Sequence, residues 1–253
     1  MLKLIRIAMM GAMIGALLTP AYANPTIESV EKEIAERTTT LKSYAADLEI
    51  TTTKAVGPMA VTSKGKGTVE KLLVDDVWRS RMDLVNTMSS DSLPGGMGAL
   101  QSNILTVFDG EMNYVEAEAM GMRQVFKKAP EAGDVNRKGD APFEKLHEQG
   151  EVKLLPEEKV GETACYVIEL VTSDEARAAK AELPKRMVMC FAKDSGIPLK
   201  SLMFDEAGKS MGSMALSNLK LNPELDPKRF TYTPPAGVTV QDMTGMKPGA
   251  LGL

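Results

Sequence analysis

The sequence predicts an α+β protein, mainly β, built on one large curved antiparallel sheet with few helices. Beyond Tyr44, apolar and polar residues alternate at every second position in a long succession of short segments. Such half-polar strands are typical of antiparallel sheets with one covered face. The connections between them are too short to hold the crossover helices of a parallel sheet.

Before this alternation starts, the spacing predicts one helix over "NPTIESVEKEIAERTTTLKSY", residues 24–44. Ile27, Val30, Ile34 and Leu41 recur at helical spacing, while acidic residues occupy the other side. The run Thr38-Thr39-Thr40 weakens the end of this helix, because β-branched residues lose rotamer freedom there. A second short helix is predicted in "FEKLHEQ".

The strands are predicted in order along the rest of the chain. The segments are "YAADLEIT", "WRSRMDL", the hairpin "ILTVFDGEMNYVEA", "MRQVFKK", and the meander "TACYVIELV", "RMVMCFAK", "IPLKSLMFD" and "SMGSMALSNLKL". Asp109-Gly110 supplies the hairpin turn. In the closing stretch "RFTYTPPAGVTVQDMT", Phe230 and Tyr232 alternate as a strand, Pro234-Pro235 stops it, and Val238 and Val240 resume it.

The N-terminus predicts export. Lys3 and Arg6 precede the uncharged apolar run from Ile7 to Leu18, and Ala21-Tyr22-Ala23 is a small-x-small cleavage site. We therefore expect a cleaved signal peptide at residues 1–23 and a periplasmic protein beginning near Asn24. Cleavage shifts the net charge from −4 to −6, since it removes two basic residues and no acidic one. This balance argues against nucleic acid as a partner and predicts no basic patch.

Cys165 and Cys190 lie in two segments that we expect to be antiparallel neighbours. In an oxidising compartment, two cysteines favour a disulfide, and facing positions are near enough for one. The alternative is a pair of buried free thiols.

The chain offers little reactive chemistry. His147 is its only histidine, and the sequence contains no HExxH, P-loop or GxGxxG motif. We therefore expect no metal site, no cofactor and no enzymatic activity. The abundant methionines allow three interpretations: core packing, an apolar wall that accepts ligands of irregular shape, or a thioether copper(I) site.

The N-terminal helix, the Trp-Arg strand "VWRSRMDLV", the hairpin "VFDGEMNYV" and the C-terminal run from "YVIELV" to "TYTPPAGVTVQD" resemble the LolA/LolB-like superfamily of bacterial envelope proteins. The resemblance implies an incomplete β-barrel wrapped around helices, with an apolar cavity for acyl chains. Relatives include the periplasmic carrier of outer-membrane lipoproteins and the lipid-sensing domain of an envelope-stress regulator. It places one half-barrel domain at residues 24–244, followed by a flexible tail at 245–253.

We therefore expect a monomeric periplasmic protein that binds or carries acyl chains of lipids or lipoproteins. The alternatives are an envelope sensor or interaction module that contacts a membrane protein, and a hydrolase using carboxylates. Segments 87–102 and 129–143 are candidate lids, and Arg79 and Arg81 are candidate rim contacts. Strand alternation places these residues in the cavity wall: Leu48, Ile50, Trp78, Met82, Leu84, Met189, Phe191 and Met203. An error of one residue in register would move all of them to the other face.

Overall fold

The computed structural model describes residues 25–56, 59–89, 100–131, 135–140, 142–180 and 182–245. The predicted fold class is confirmed, because one curved twelve-stranded sheet dominates the molecule and does not close into a barrel. The helices are α1 (Ile27–Thr39), α2 (Pro142–Gln149) and α3 (Asp174–Ala179). The strands are β1 (Ser43–Val56), β2 (Met59–Val74), β3 (Val77–Ser89), β4 (Leu100–Phe108), β5 (Asn113–Ala119), β6 (Met122–Lys128), β7 (Gly150–Val160), β8 (Thr163–Thr172), β9 (Arg186–Ala192), β10 (Pro198–Phe204), β11 (Ser210–Leu221) and β12 (Val240–Asp242).

The sheet consists of two meanders joined at its centre. Its strand order is β12-β6-β5-β4-β3-β2-β1-β11-β10-β9-β8-β7, so β1 pairs with β11 and connects the N-terminal meander to the C-terminal one. All neighbouring strands are antiparallel except β12, which pairs in parallel with β6. The edges are therefore the three-residue β12 and the strand β7.

Helix α1 forms where the apolar spacing predicts it. The Thr26 hydroxyl caps its N-terminus by accepting a hydrogen bond from the Ser29 amide at 3.3 Å. Val30 and Ile34 are buried on one side of the helix. At the other end the three threonine hydroxyls donate to the carbonyl three residues earlier, and the helix stops at Thr39. The predicted helix therefore ends several residues earlier than expected.

The closing stretch forms a strap over the sheet, which corrects the prediction of an aromatic strand. Residues Pro227–Phe230 form a short 3-10 helix that places Phe230 in a fully buried position. Tyr232 stacks on Tyr114 with ring centroids 4.9 Å apart, and its hydroxyl donates to Glu116 at 2.7 Å. Only the resumed strand at Val240 is formed, as β12. We call residues 222–242 the strap.

Two strands and one helix have no counterpart in the sequence prediction. Strand β2 is rich in lysine and glycine, and β7 contains Pro156 and five charged residues, so neither has a clear apolar alternation. Helix α3 has no buried residue and therefore no apolar periodicity to detect. Pairing with neighbouring strands, and not the pattern of its own side chains, holds such a strand in the sheet. Side-chain alternation therefore does not predict it.

The structure does not contain the predicted disulfide, and both cysteines are free and buried. Strands β8 and β9 are antiparallel neighbours as expected, but Cys165 lies opposite Ala192 and Cys190 opposite Val167. The two cysteines are therefore offset by two residues. Diagonal neighbours of this kind have Cα atoms about 7–8 Å apart, beyond the usual disulfide range.

We expect both thiols to react slowly in the native protein. Burial raises the pKa of the Cys165 thiol and of the Cys190 thiol, so little thiolate is present at neutral pH. A thiol-reactive chromogenic disulfide should react with the two cysteines in buffer at less than about one per cent of its rate in denaturant. Two equivalents of rapid labelling in buffer would contradict this placement, and no labelling in non-reducing denaturant would show that the bridge forms after all.

Candidate functional site

One face of the sheet carries the helices, and we call it the inner face. The direct partners Ile50, Met214, Ser201, Met189 and Ile168 form a continuous row across β1, β11, β10, β9 and β8. Paired residues of antiparallel strands point to the same face, so the whole row lies on one side. Met189 and Ile168 pack against α1, which identifies this side as the inner face.

The eight residues predicted to line a cavity all lie on the inner face. Leu48 and Ile50 follow the row on β1, and Leu84 joins it because Gly67 pairs with both Leu48 and Leu84. Trp78 and Met82 share the face of Leu84, while Phe191 and Met203 share the faces of Met189 and Ser201 by strand alternation. These eight residues nevertheless do not form one group. Met189 and Phe191 belong to one apolar cluster, Met203 lines a cavity, and the other five belong to a second apolar cluster.

The buried side chains of α1 and α2 cover the β7–β9 end of the inner face, and Thr38, Thr39 and Lys145 of these helices also reach the start of β1. Val30, Ile34 and Phe143 from α1 and α2 pack against Tyr166, Ile168, Met189 and Phe191, so two of the predicted residues are buried beneath helices. No residue of α1 or α2 belongs to the other apolar cluster described by the structure. We call the inner face of β1, β2, β3 and β11, which these buried helix side chains leave uncovered, the trough.

The floor of the trough is apolar, and its centre is filled by its own side chains. Leu48, Leu84 and Leu216 are buried there. Half-buried apolar side chains pack against the same cluster: Ile50, Val69, Met82, Ile104 and Met214. A ligand in the trough would therefore lie on the leucines and displace the flexible methionines.

A cavity opens at each end of the trough. The Trp78 mouth, of about 270 Å³, lies where β1 begins, and Leu41, Tyr44, Trp78, Ile197 and Pro198 supply its apolar wall. The Met203 mouth, of about 510 Å³, lies where β1 ends, and its wall includes Thr52, Ala60, Met203 and Met211. From Tyr44 to Thr52, strand β1 spans about 26 Å at about 3.3 Å per residue.

One of the predicted lid segments borders the Trp78 mouth. Asn136, Arg137, Lys138, Gly139 and Asp140 line it. The backbone of this segment is held to the end of β3, because the Trp78 amide donates to the Asn136 carbonyl at 3.0 Å and the Lys138 amide to the Asp76 carbonyl at 2.9 Å. Of the other predicted lid, 87–102, residues 90–99 lie outside the described residues, as do the predicted signal peptide and residues 246–253 of the tail.

The arginines suggested for the cavity rim lie elsewhere. Arg79 and Arg81 occupy the odd positions of β3, so they point to the outer face, opposite the trough. Arg81 donates to the carbonyl of Arg229 at 3.4 Å and pairs with Asp83 at 3.5 Å, which places it beside the strap. The suggestion of a rim role for these two arginines is therefore wrong.

His147 joins the two inner-face helices. Its Nε2 lies 2.9 Å from Glu31 Oε1, which connects α2 to α1. Within the described part of the chain, no group of three or more His, Cys, Asp or Glu side chains is placed to hold a metal ion. No helix among the described residues is long and apolar enough to cross a membrane.

A second contact holds α1 to the sheet and makes the free energy of unfolding depend on pH in the alkaline range. The Tyr166 hydroxyl donates to Glu33 Oε2 at 2.8 Å, and burial together with this hydrogen bond raises the pKa of Tyr166 to about 12. An unfolded tyrosine ionises near pH 10, so the stabilisation is complete below pH 10 and is lost as the pH rises toward 12.

We expect the Tyr166→Phe variant to lose less stability than the parent between pH 9 and pH 12. At pH 12, the parent should have lost about 2–3 kcal/mol more of its free energy of unfolding than the variant, because each pKa unit corresponds to about 1.4 kcal/mol. Urea unfolding at pH 9 and at several alkaline values measures it. Tyr114→Phe, at a tyrosine on the outer face, is the control. Identical pH profiles for Tyr166→Phe and the parent would contradict the assignment.

Comparison with known proteins gives one family match. Residues 108–233, just under half of the chain, match the family model of the MucB/RseB N-terminal domain. A search of curated proteins gives no match. The matched region runs from the end of β4 through the C-terminal meander and into the strap. This match and the unclosed twelve-stranded sheet confirm the predicted LolA/LolB-like fold.

Several solved structures are similar in shape at low sequence identity. An uncharacterized conserved protein from Thermus thermophilus has a TM-score of 0.47 and 14% identity, with 83% of this chain and 98% of that chain covered. MucB in the Pseudomonas aeruginosa MucA/MucB complex has a TM-score of 0.43 and 16% identity, with 81% of this chain covered. This chain spans only 60% of that MucB chain. A LolA superfamily protein from Nitrosomonas europaea has a TM-score of 0.30 and 13% identity, with 83% and 99% covered.

Proposed function

We propose that this protein is an exported, non-enzymatic binding protein that accepts an acyl chain of a lipid or lipoprotein in the trough. The observation that carries the proposal is the uncovered half of the inner face. There, half-buried Ile50, Met82 and Met214 lie between two cavities, and the apolar cluster that they pack against contains no described residue of α1 or α2. The domain is the half-barrel at residues 24–244, it acts as a monomer in the periplasm, and it needs no cofactor.

Acyl burial supplies enough free energy without a reactive group. Each CH₂ removed from water contributes up to about 0.8 kcal/mol. Methionine side chains are unbranched and polarizable, so Met82 and Met214 adapt to a chain of irregular shape. Of the eight predicted residues, Ile50, Trp78, Met82 and Met203 are half-buried and contact the ligand, whereas Leu48 and Leu84 support them from below. Met189 and Phe191 hold the helices in place.

Native mass spectrometry of the full chain, exported with its own signal peptide, tests this function. We expect the mature protein, processed after Ala23, to carry additional mass that organic extraction releases as acylated molecules. A protein that is exported and folded but takes up no acyl chain, either in the cell or from added single-chain lipids, would overturn the proposal.

A partner-binding module is the second candidate, and one exposed apolar site favours it. Met120 and Met122 at the β5–β6 turn are 78% and 65% exposed, and Met88 near the end of β3 and Leu100 at the start of β4 are also exposed nearby. Exposed methionine is common at adaptable protein interfaces. The MucB in the complex structure has a protein partner, MucA. If this candidate is correct, the double variant Met120→Lys/Met122→Lys loses an envelope partner and keeps acyl binding.

A further inference from the structure

The Trp78 mouth gathers positive charge from three different elements of the chain. Lys71 comes from β2, Arg137 and Lys138 from the segment beside β3, and Lys145 from α2. Asp140 is the only acidic residue that the structure describes in its wall. The expectation that this acidic chain has no basic patch is therefore wrong at this place, because the fold concentrates four cations around one opening.

Three of these four cations have no salt bridge among the described residues: Lys71, Arg137 and Lys138. Lys71 Nζ instead lies 5.9 Å from the centre of the Tyr44 ring, which is itself part of the wall. Tyr44 and Trp78 are in contact, with centroids 6.4 Å apart. Cationic side chains thus surround an opening with an aromatic floor.

The two mouths differ in charge. The wall of the Met203 mouth contains two basic residues, Lys54 and Lys209, and two acidic residues, Glu182 and Asp205, so its charges balance. Four basic residues and one acidic residue surround the Trp78 mouth. A molecule with one anionic end and one apolar end would therefore be held in a single direction along the trough.

We propose that the Trp78 mouth binds the anionic headgroup of a single-chain amphiphile, a phosphate or a carboxylate, while the tail extends along β1 toward the Met203 mouth. The apolar wall of Leu41, Tyr44 and Trp78 continues into the trough, which suits a headgroup attached to an acyl chain better than a free anion. This inference rests on the proposed function, and it adds the charge of the ligand and the direction in which it lies.

Trp78 is the only tryptophan of the chain, so its fluorescence reports on this mouth alone. The probes are lysophosphatidic acids whose single chain carries two bromine atoms, either near the headgroup or near the methyl end, and a neutral monoacylglycerol with the same chain. Bromine quenches tryptophan only at short range. We expect stronger quenching by the bromines near the headgroup, and binding of the phosphate amphiphile at least about tenfold tighter than that of the neutral one at low salt.

A charge-matched pair of variants separates a local site from overall charge. The triple variant Lys71→Gln/Arg137→Gln/Lys138→Gln should lose most of the preference for the anionic amphiphile and keep its affinity for the neutral one. Lys64→Gln/Lys66→Gln/Lys220→Gln removes the same charge from exposed positions on the outer face and should retain the preference. Circular dichroism checks that both variants are folded.

The outcomes that overturn the inference differ from failure of the proposed function. Equal affinity for both amphiphiles, an equal effect of both triple variants, or stronger quenching by bromines at the methyl end would each overturn it, while acyl binding itself stands. Inorganic phosphate that binds as tightly as lysophosphatidic acid would assign the mouth to a free anion and would also overturn it. If no amphiphile binds at all, the proposed function fails too.

Discussion

The Phe230→Ala variant is expected to unfold with a free energy about 3–5 kcal/mol below that of the parent protein. Phe230 is fully buried and belongs to the largest side chains with no exposure. The 3-10 helix of the strap places it there, and Arg229 holds that helix to β2 through two hydrogen bonds to Glu70, at 2.9 and 3.1 Å. Removing the ring leaves a cavity that the strap, fixed at both ends, fills only in part.

Equilibrium unfolding in urea measures this loss. Thr231→Ala, at the next residue and exposed, is the matched control and should change the free energy of unfolding by less than about 0.5 kcal/mol. A loss below about 1 kcal/mol for Phe230→Ala would mean that the strap does not anchor the sheet. Because the strap lies on the outer face, the folded fraction of the variant should still bind acyl chains.

The Met214→Glu variant should bind acyl chains about 100-fold more weakly than the parent. Met214 pairs with Ile50 and Ser201 in the inner-face row and is half-buried in the trough. A bound chain would cover the carboxylate there and remove its water, and no partner compensates for that cost. A penalty of about 3 kcal/mol for such a half-covered charge corresponds to about 100-fold in affinity.

Ala215→Glu is the control for this variant. Ala215 is the next residue on β11, is exposed, and points to the outer face opposite Glu49 and Lys200. The Ala215→Glu substitution introduces the same charge at nearly the same place on the strand but on the other face. Acyl-chain affinity should therefore stay within about twofold of the parent value. Titration of a fluorescent single-chain lipid measures both variants. Equal weakening by the two substitutions would place the ligand outside the trough or attribute the effect to net charge.

The alternation of side chains predicted one shared face for the residues proposed to line a cavity, and the strand pairing places them together on the inner face. Leu48, Trp78 and Met203 belong to three different strands, yet period-two spacing placed all of them on the inner face. What alternation does not give is the position of the helices on that face. Met189 and Phe191 share the inner face and are nevertheless covered by α1 and α2, because helix packing is determined by contacts distant in sequence.

The failures have equally specific physical causes. Cys165 and Cys190 are on neighbouring strands, but β8 and β9 pair in a register that offsets the two cysteines by two residues. Phe230 and Tyr232 have the spacing of a strand, yet Pro227 and the Asp226 cap turn the chain into a 3-10 helix. Phe230 is therefore buried from a helical backbone and not from a strand.

The basic mouth was invisible in the sequence for a third reason. Lys71 is distant in sequence from Arg137 and Lys145, and each of the three lies in a segment whose local charge is mixed. Only the fold brings them around one opening, beside the two aromatic rings of Tyr44 and Trp78. Net charge, which is a property of the whole chain, therefore did not predict the local field at the trough.

Photo-crosslinking locates the acyl chain most directly. A single-chain lipid with a diazirine in the middle of its tail is bound to the mature protein and irradiated, and mass spectrometry of peptides identifies the labelled residues. Labels are expected on the inner face of β1, β3 and β11, at or beside Ile50, Met82 and Met214. Labels confined to the strap and the outer face, or an irradiated protein without any label, would contradict acyl binding in the trough.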